Sequence, residues 1–234
     1  MASEAFFVDR ESATTASEFG DRLTDLYMDY PLASALVMQN LLASHDTDRL
    51  ASMFRNPDRD FDRGNRLQDG DEYDAAKPEA AEMARMKQAV AVQFLFPGAP
   101  MIYYGDEVGM WGPDDPSNRM PMVWEDLGPY DGEGVEPDRE LFEFYRRLAG
   151  IRHTFDVTDV GFFRVVEADD ARGLVVFVRE LGEERVYVVV NRSATTQAWD
   201  GLPGEGWVDV MNPAEAEVVR GEDGRPRVRV IGAG

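Results

Sequence analysis

The stretch "NLLASHDTDRL", residues 40–50, passes from apolar to ionisable within one step, and its reading decides the fold. Leu41, Leu42 and Ala43 have the texture of a buried strand, and Ser44, His45, Asp46, Thr47, Asp48 and Arg49 follow with no apolar relief. Parallel α/β proteins build their active sites just past the carboxyl ends of strands. The residues after Ala43 are therefore candidates for chemistry, and the rest of the chain has to supply their partners.

Working outward, Val37 to Ala43 reads as a short buried strand, and Met101 to Tyr104 as a second one ending in Gly105-Asp106-Glu107. Between them, Glu79 to Phe96 has a helical pattern that starts after Pro78 and stops at Pro97-Gly98. Ser17 to Tyr30 carries apolar residues at helical spacing (Phe19, Leu23, Leu26, Tyr27), with Ser17 as the candidate N-cap. Leu50 to Phe54 is long enough for a turn or two of helix, and Asn56 to Asp74 is a polar loop. Gly105 to Pro137 is loop, and Asp138 to His153 returns to helix with Leu141, Phe144, Tyr145 and Leu148 on one face. Helix, strand, helix, strand, helix implies parallel strands with helical crossovers. A full (β/α) barrel takes eight strands, and only two are visible in this stretch.

From Gly161 the period changes from helical to alternating. Phe162 to Val166, Leu174 to Arg179, Val186 to Val190 and Trp207 to Met211 are β-rich, and Arg227 to Ile231 adds a further candidate. Turn residues such as Asp169-Asp170 and Leu181-Gly182 separate them, which predicts a small antiparallel β-sandwich. The run Asp156 to Asp159 reads as a linker. The expected class is α/β plus all-β, divided into residues 1–154 and 155–234.

Composition narrows the chemistry. There are no cysteines, so disulfides, zinc-thiolate sites and cysteine nucleophiles are excluded. The formal net charge is −21, and only Lys77 and Lys87 among the 24 basic residues are lysine. Such a surface repels nucleic acid and anionic membrane, so neither is an expected partner. The charge suits a high-salt medium, and equally an acidic protein from an arginine-favouring genome. No run approaches the roughly 18 apolar residues of a membrane span, and no leader is read at the start. The expectation is cytoplasmic by default, with a periplasmic or secreted parent left open.

"NLLASHDTDR", together with "PGAPMIYYGDEVGMWGPDDPSNRMPMVWED" at residues 97–126, resembles the last two strand-ends of the α-amylase family of glycoside hydrolases, nearest to its neopullulanase and cyclomaltodextrinase branch. The resemblance covers most of residues 1–150, and the sheet region after it is similar in placement to that family's C-terminal β-domain. It implies that 37–43 is strand seven and 101–104 strand eight of a (β/α)8 TIM barrel, with 138–153 its final helix. By the same resemblance, His45 and Asp46 hydrogen-bond the sugar at the cleaved bond, and an ionised Asp46 steadies an oxocarbenium-like transition state. Asp115 and Arg119 match a pair that binds the next sugars along, and Arg49 is expected to set the loop by a bidentate pair with a carboxylate. Ser44 departs mildly from the family, where Asn is the commoner residue. The implied ligand is an α-glucan or maltooligosaccharide, with no cofactor or metal.

The same resemblance implies that much is missing. The family's nucleophilic aspartate sits in a Gly-x-Arg-x-Asp setting after strand four and its acid/base glutamate after strand five, and neither motif can be placed here. Asp46 with Glu107 is not a substitute pair, since the equivalent of Glu107 is a scaffold residue in the family. The expectation is the C-terminal part of a retaining α-glucan hydrolase, inactive alone. The alternative is a non-catalytic carbohydrate-binding subunit, or one that completes a barrel whose other strands come from another chain. Asp114-Asp115 also reads as a plain solvated turn, and Trp111 and Trp124 as packing residues or sugar platforms.

Overall fold

The computed structural model describes residues 2–59, 64–70, 72–130, 136–204, 207–211, 219–220 and 226–230. The first part of the chain holds helices α1 (Ala2–Phe7), α2 (Ala16–Met28) and α3 (Leu32–Ala35), strand β1 (Gln39–Leu41), helices α4 (Leu50–Arg55) and α5 (Ala80–Leu95), and strand β2 (Ala99–Met101). Then come α6 (Arg139–Thr154), α7 (Asp156–Val160), and strands β3 (Phe162–Asp169), β4 (Leu174–Leu181), β5 (Glu184–Asn191), β6 (Gln197–Trp199), β7 (Val219–Arg220) and β8 (Pro226–Val230).

The local signals explain most of these boundaries. At α2 the cap is Thr15 rather than Ser17: its hydroxyl accepts from the Glu18 amide at 3.2 Å while the Glu18 carboxylate accepts from the Thr15 amide at 2.9 Å. That reciprocal box satisfies two amides left free at a helix start, whereas the Ser17 amide already lies inside the helix and donates to Asp170. Glu79 and Glu82 box the start of α5, and Pro97 follows the C-cap Phe96. Asp138 caps α6 by accepting from the Leu141 amide at 2.9 Å.

β1 and β2 form a two-stranded parallel sheet, Gln39 opposite Ala99 and Leu41 opposite Met101. Both strands are shorter than the expected 37–43 and 101–104, and β2 is displaced toward its N-terminus. Two side chains account for the displacement. Gln93 of α5 donates to the carbonyls of Asn40 (2.8 Å) and Met101 (2.9 Å), and Asn40 donates back to Gln93 and Pro97. This clasp fixes the crossover where the ladder forms. Gly98 has φ +120° and its added Cβ would meet the Met38 carbonyl oxygen at 2.6 Å, so the turn into β2 requires glycine. The expectation of a buried first strand fails: Val37 is 73% exposed and Leu41 36%. Each strand has one neighbour in the described residues, so one edge of each is unpaired.

The second part contains two three-stranded antiparallel sheets, β3–β4–β5 and β6–β8–β7. β4 is the centre. Leu174, Val175, Val176, Phe177, Val178 and Arg179 are all buried. Val175 and Phe177 join a core with Phe6, Phe7 and Phe19 of the N-terminal helices and with Val90, Phe94, Leu141 and Leu148 of α5 and α6. Leu174 and Val176, pointing the other way, meet Trp199 and Leu202. The ring pairs Phe96–Phe163 (4.9 Å) and Phe163–Phe177 (5.3 Å) carry one apolar cluster across residues 154–155. The expected linker at 156–159 is instead helix α7, with Val157 and Thr158 buried and the Thr158 hydroxyl donating to the Phe155 carbonyl at 2.7 Å. Residues 207–211, expected as a strand, form none, while β6, which the alternation did not reveal, does. Part of the last candidate strand, 227–231, is β8, and Ile231 lies outside the described residues.

Two arginines brace the end of α5. Arg152 donates to the carbonyls of Phe94 (2.6 Å) and Gly98 (2.9 Å), and buried Arg179 donates to those of Leu95 (2.9 Å) and Gly161 (3.0 Å). The last carbonyls of a helix have no partner within it and carry partial negative charge, so guanidinium groups suit them. Burial pulls Arg179 down to about 10.

Candidate active site

The polar turn after β1 closes on itself. The Ser44 amide donates to the Thr47 hydroxyl at 3.0 Å, the Thr47 hydroxyl donates to the Ser44 carbonyl, and the Asp46 amide donates to the Ser44 hydroxyl at 3.1 Å. Short hydroxyl side chains competing for local backbone groups in this way end the strand and turn the next side chains outward. His45 and Asp46 accordingly stand in solvent, 64% and 66% exposed, with His45 Nε2 3.2 Å from Asp46 Oδ2.

Opposite them lies the loop after β2. Arg119 bridges: its Nε is 3.0 Å from Asp115 Oδ1 and its Nη2 is 3.7 Å from Asp46 Oδ1. The four residues singled out by sequence, His45, Asp46, Asp115 and Arg119, therefore share one surface, although 69 positions separate Asp46 from Asp115 in the chain. Their carboxylates and guanidinium offer acceptors and a forked donor to a hydroxyl-rich ligand.

Beneath this surface the support is buried. Arg49 is fully buried, donates to the Tyr104 carbonyl, and lies 4.6 Å from the ring centres of both Tyr103 and Tyr104. The carboxyl group it faces is Asp106, with Arg49 Nη1 3.8 Å from Oδ1, and the expected bidentate pair does not form. Burial pushes the Asp106 carboxyl up to about 8 and outweighs the attraction of Arg49. Gly105 adopts φ +91°, and a Cβ there would strike the Met110 sulfur and Arg49 Nη1, so glycine is needed for Arg49 to reach across. Asp48 accepts from the Tyr73 hydroxyl at 2.7 Å, and burial, then the Asp48 charge, pushes that hydroxyl well above the tyrosine range.

Sequence reasoning missed two buried residues of the second loop. Asp114, 1% exposed, pairs with Arg66 at 3.1 Å, and so is no solvated turn residue. Asn118 is fully buried and donates to the carbonyls of His45 (2.9 Å) and Thr47 (2.7 Å). Its only sequence signal was its place between Asp115 and Arg119. Glu107 accepts from the Gly105 amide at 2.8 Å and braces the turn. Trp124 is half exposed at the rim, its amide bonded to the Tyr130 hydroxyl. Trp111 packs at the edge of the core beside Lys77.

The mixed α/β unit followed by antiparallel sheets has counterparts among known proteins. Residues 163–223 match the family described as maltogenic amylase, C-terminal domain. The chain is 33% identical to neopullulanase 2 of Thermoactinomyces vulgaris over 214 residues, 90% of this chain and 30% of that protein. It is 30% identical to a cyclomaltodextrinase of Thermoanaerobacter pseudethanolicus over 210 residues, again 90% of this chain and 30% of the relative. A solved cyclomaltodextrinase superposes with a TM-score of 0.69 at 27% identity, covering 99% of this chain and 34% of that one. The chain is thus homologous to the C-terminal portion of α-amylase-family neopullulanases and cyclomaltodextrinases, and spans about 30% of the length of these curated relatives. Among the described residues, no helix is long and apolar enough to cross a membrane, and no acidic or histidine cluster fits a metal ion.

Proposed function

We propose that these residues form the C-terminal part of a retaining α-glucan hydrolase of the neopullulanase and cyclomaltodextrinase kind. On this reading residues 1–154 belong to a (β/α)8 barrel, β1 and β2 are its last two strands, and 155–234 are an appended β-domain. Asp46 steadies the positive charge that grows on the sugar ring, and His45 donates to the same sugar. Asp115 and Arg119 grip sugars further along, where binding energy helps only substrates long enough to reach. No Gly-x-Arg-x-Asp stretch occurs in the 234 residues, so the nucleophile and acid/base come from strands elsewhere in a longer polypeptide or in another chain. The α-glucan substrate follows from the relatives, whose names are those of α-glucan hydrolases.

The observation that supports this best is Arg119 reaching both Asp46 and Asp115, because it gathers the cleavage-point and outer-sugar groups on one surface. In an enzyme completed with the remaining strands, Asp46→Asn should lower kcat by at least about 10²-fold, as for removal of one preorganised electrostatic group. Arg119→Ala should instead impair oligosaccharide cleavage more than that of a short activated glucoside. A normal kcat after Asp46→Asn would remove Asp46 from the chemistry. The second reading, a barrel-completing or carbohydrate-binding subunit, is favoured by the unpaired strand edges and by the exposed Val37, Leu41, Ile102 and Tyr104 beside them.

A further inference from the structure

Asn118 sits where the two site loops meet. Its side-chain amide has two N–H donors, and two backbone carbonyls take them: His45 at 2.9 Å and Thr47 at 2.7 Å. Those carbonyls belong to the residues on either side of Asp46. A third acceptor, Asp114 Oδ1, lies at 3.3 Å, and Asp114 is itself anchored by Arg66 and by the Asn65 carbonyl. The side chain next to it, Arg119, also spans the two loops, but in solvent and at 3.7 Å from Asp46. Exposed ion pairs at that distance contribute little and are screened by salt. Buried hydrogen bonds that replace water are worth more, and losing the donor strands the Thr47 carbonyl of a buried bond and the His45 carbonyl of a half-buried one. The backbone bond from the Arg49 amide to the Gly112 carbonyl joins the same loops, but three residues beyond Asp46. It sets the base of the turn and not its tip.

We propose that Asn118 is a positioning residue, holding the peptide units that flank Asp46 in register with the Asp115–Arg119 pair so that cleavage-point and outer-sugar contacts move as one. The proposal rests on the functional reading above and deepens it. Asn118 touches no sugar. It acts through Asp46 on one loop and through its own neighbour Arg119 on the other, and a displacement of about 1 Å there is enough to cost a rate factor near 10².

Two measurements test it. The first needs no activity: amide hydrogen exchange in the 234-residue chain, with Asn118→Ala and with Asn118→Asp, which keeps the shape but loses the donors. Segments 44–49 and 114–119 should lose protection together by more than about tenfold, with β3, β4 and β5 unchanged. Unchanged exchange in 44–49, or an equal loss throughout the chain, would overturn the assignment. The second measurement uses the completed enzyme. Either variant should lower kcat/KM on a short activated glucoside by about 10²-fold and also erase the preference for longer oligosaccharides, a double loss that neither Asp46→Asn nor Arg119→Ala produces. If Asp46→Asn is damaging while both Asn118 variants keep their kcat, the positioning role falls and the functional reading stands. If Asp46→Asn is harmless, the functional reading falls and takes the positioning proposal with it, whatever the exchange shows.

Discussion

β4 and β1 look alike in sequence and end in opposite environments. "LVVFVREL" at 174–181 runs through six successive buried residues, covered by helices on one face and by Trp199 and Leu202 on the other. "VMQNLLA" at 37–43 has a comparable apolar content, yet only three of its residues pair, and Val37 and Leu41 lie in the open. The difference is one of partners. Among the described residues, β4 has a strand on each side, whereas β1 pairs with β2 alone. Apolar texture says that a strand wants cover; the rest of the polypeptide decides whether it gets it. The better-covered region is the one that carries no proposed chemistry. The sparsely covered one carries the site.

The largest effect expected from this contrast lies in β4. Phe177 is fully buried and joins the helical core to the sheet, so Phe177→Ala should cost about 3–5 kcal/mol, read as a lowered urea midpoint. A loss below about 1 kcal/mol would mean that the two parts do not share a core.

A second effect lies under the site. Asp106 has a folded-state value raised to about 8 by burial, above its ordinary 3.8. The folded protein therefore holds a proton that the unfolded chain releases, and the associated stability is complete below about pH 4 and lost as pH rises through 8. Urea midpoints of the native chain should fall across that interval relative to those of Asp106→Asn, which cannot ionise. Parallel curves for the two proteins would show that Arg49 keeps Asp106 charged throughout.

The smallest effect lies in β1. Leu41→Ala removes a side chain that is already 36% exposed, and should change stability by about 1 kcal/mol or less. A loss rivalling that of Phe177→Ala would break the contrast, since β1 would then be covered by something in the isolated chain, such as a second copy.

How much was legible follows the same logic. Helix α5 was readable because Pro78 and Pro97 bracket it, and α6 because Asp138 caps an apolar stripe. β3, β4 and β5 were readable from β-branched runs between turn residues, and extend further than the runs alone suggested. The limits of β1 and β2 were not, because they are set by Gln93 and Asn40 across the crossover, a contact with no local signal. α7 was hidden for a similar reason: Asp156 and Asp159 read as a solvated link, and the burial of Val157 and Thr158 has no local signal. At the site, His45 and Asp46 stood out as ionisable groups after a strand end, whereas Asp115 and Arg119 were reached only through the family resemblance. Asn118 did not stand out, since a neutral amide in a polar loop becomes informative only when the carbonyls it binds are known.

The most direct test of the division between a covered sheet and a partial site is an assay of α-glucan hydrolysis, on pullulan, starch and cyclodextrin, by the 234-residue chain with and without a polypeptide that supplies the remaining strands. The chain alone should give no turnover, because stabilising a transition state does nothing without the groups that make and break the bond. The combination should hydrolyse at least one of the three, and lose that activity by about 10²-fold on Asp46→Asn. Turnover by the 234 residues alone, abolished by Asp46→Asn, would contradict the reading, since it would place a complete catalytic centre on the surface formed by the β1 and β2 loops.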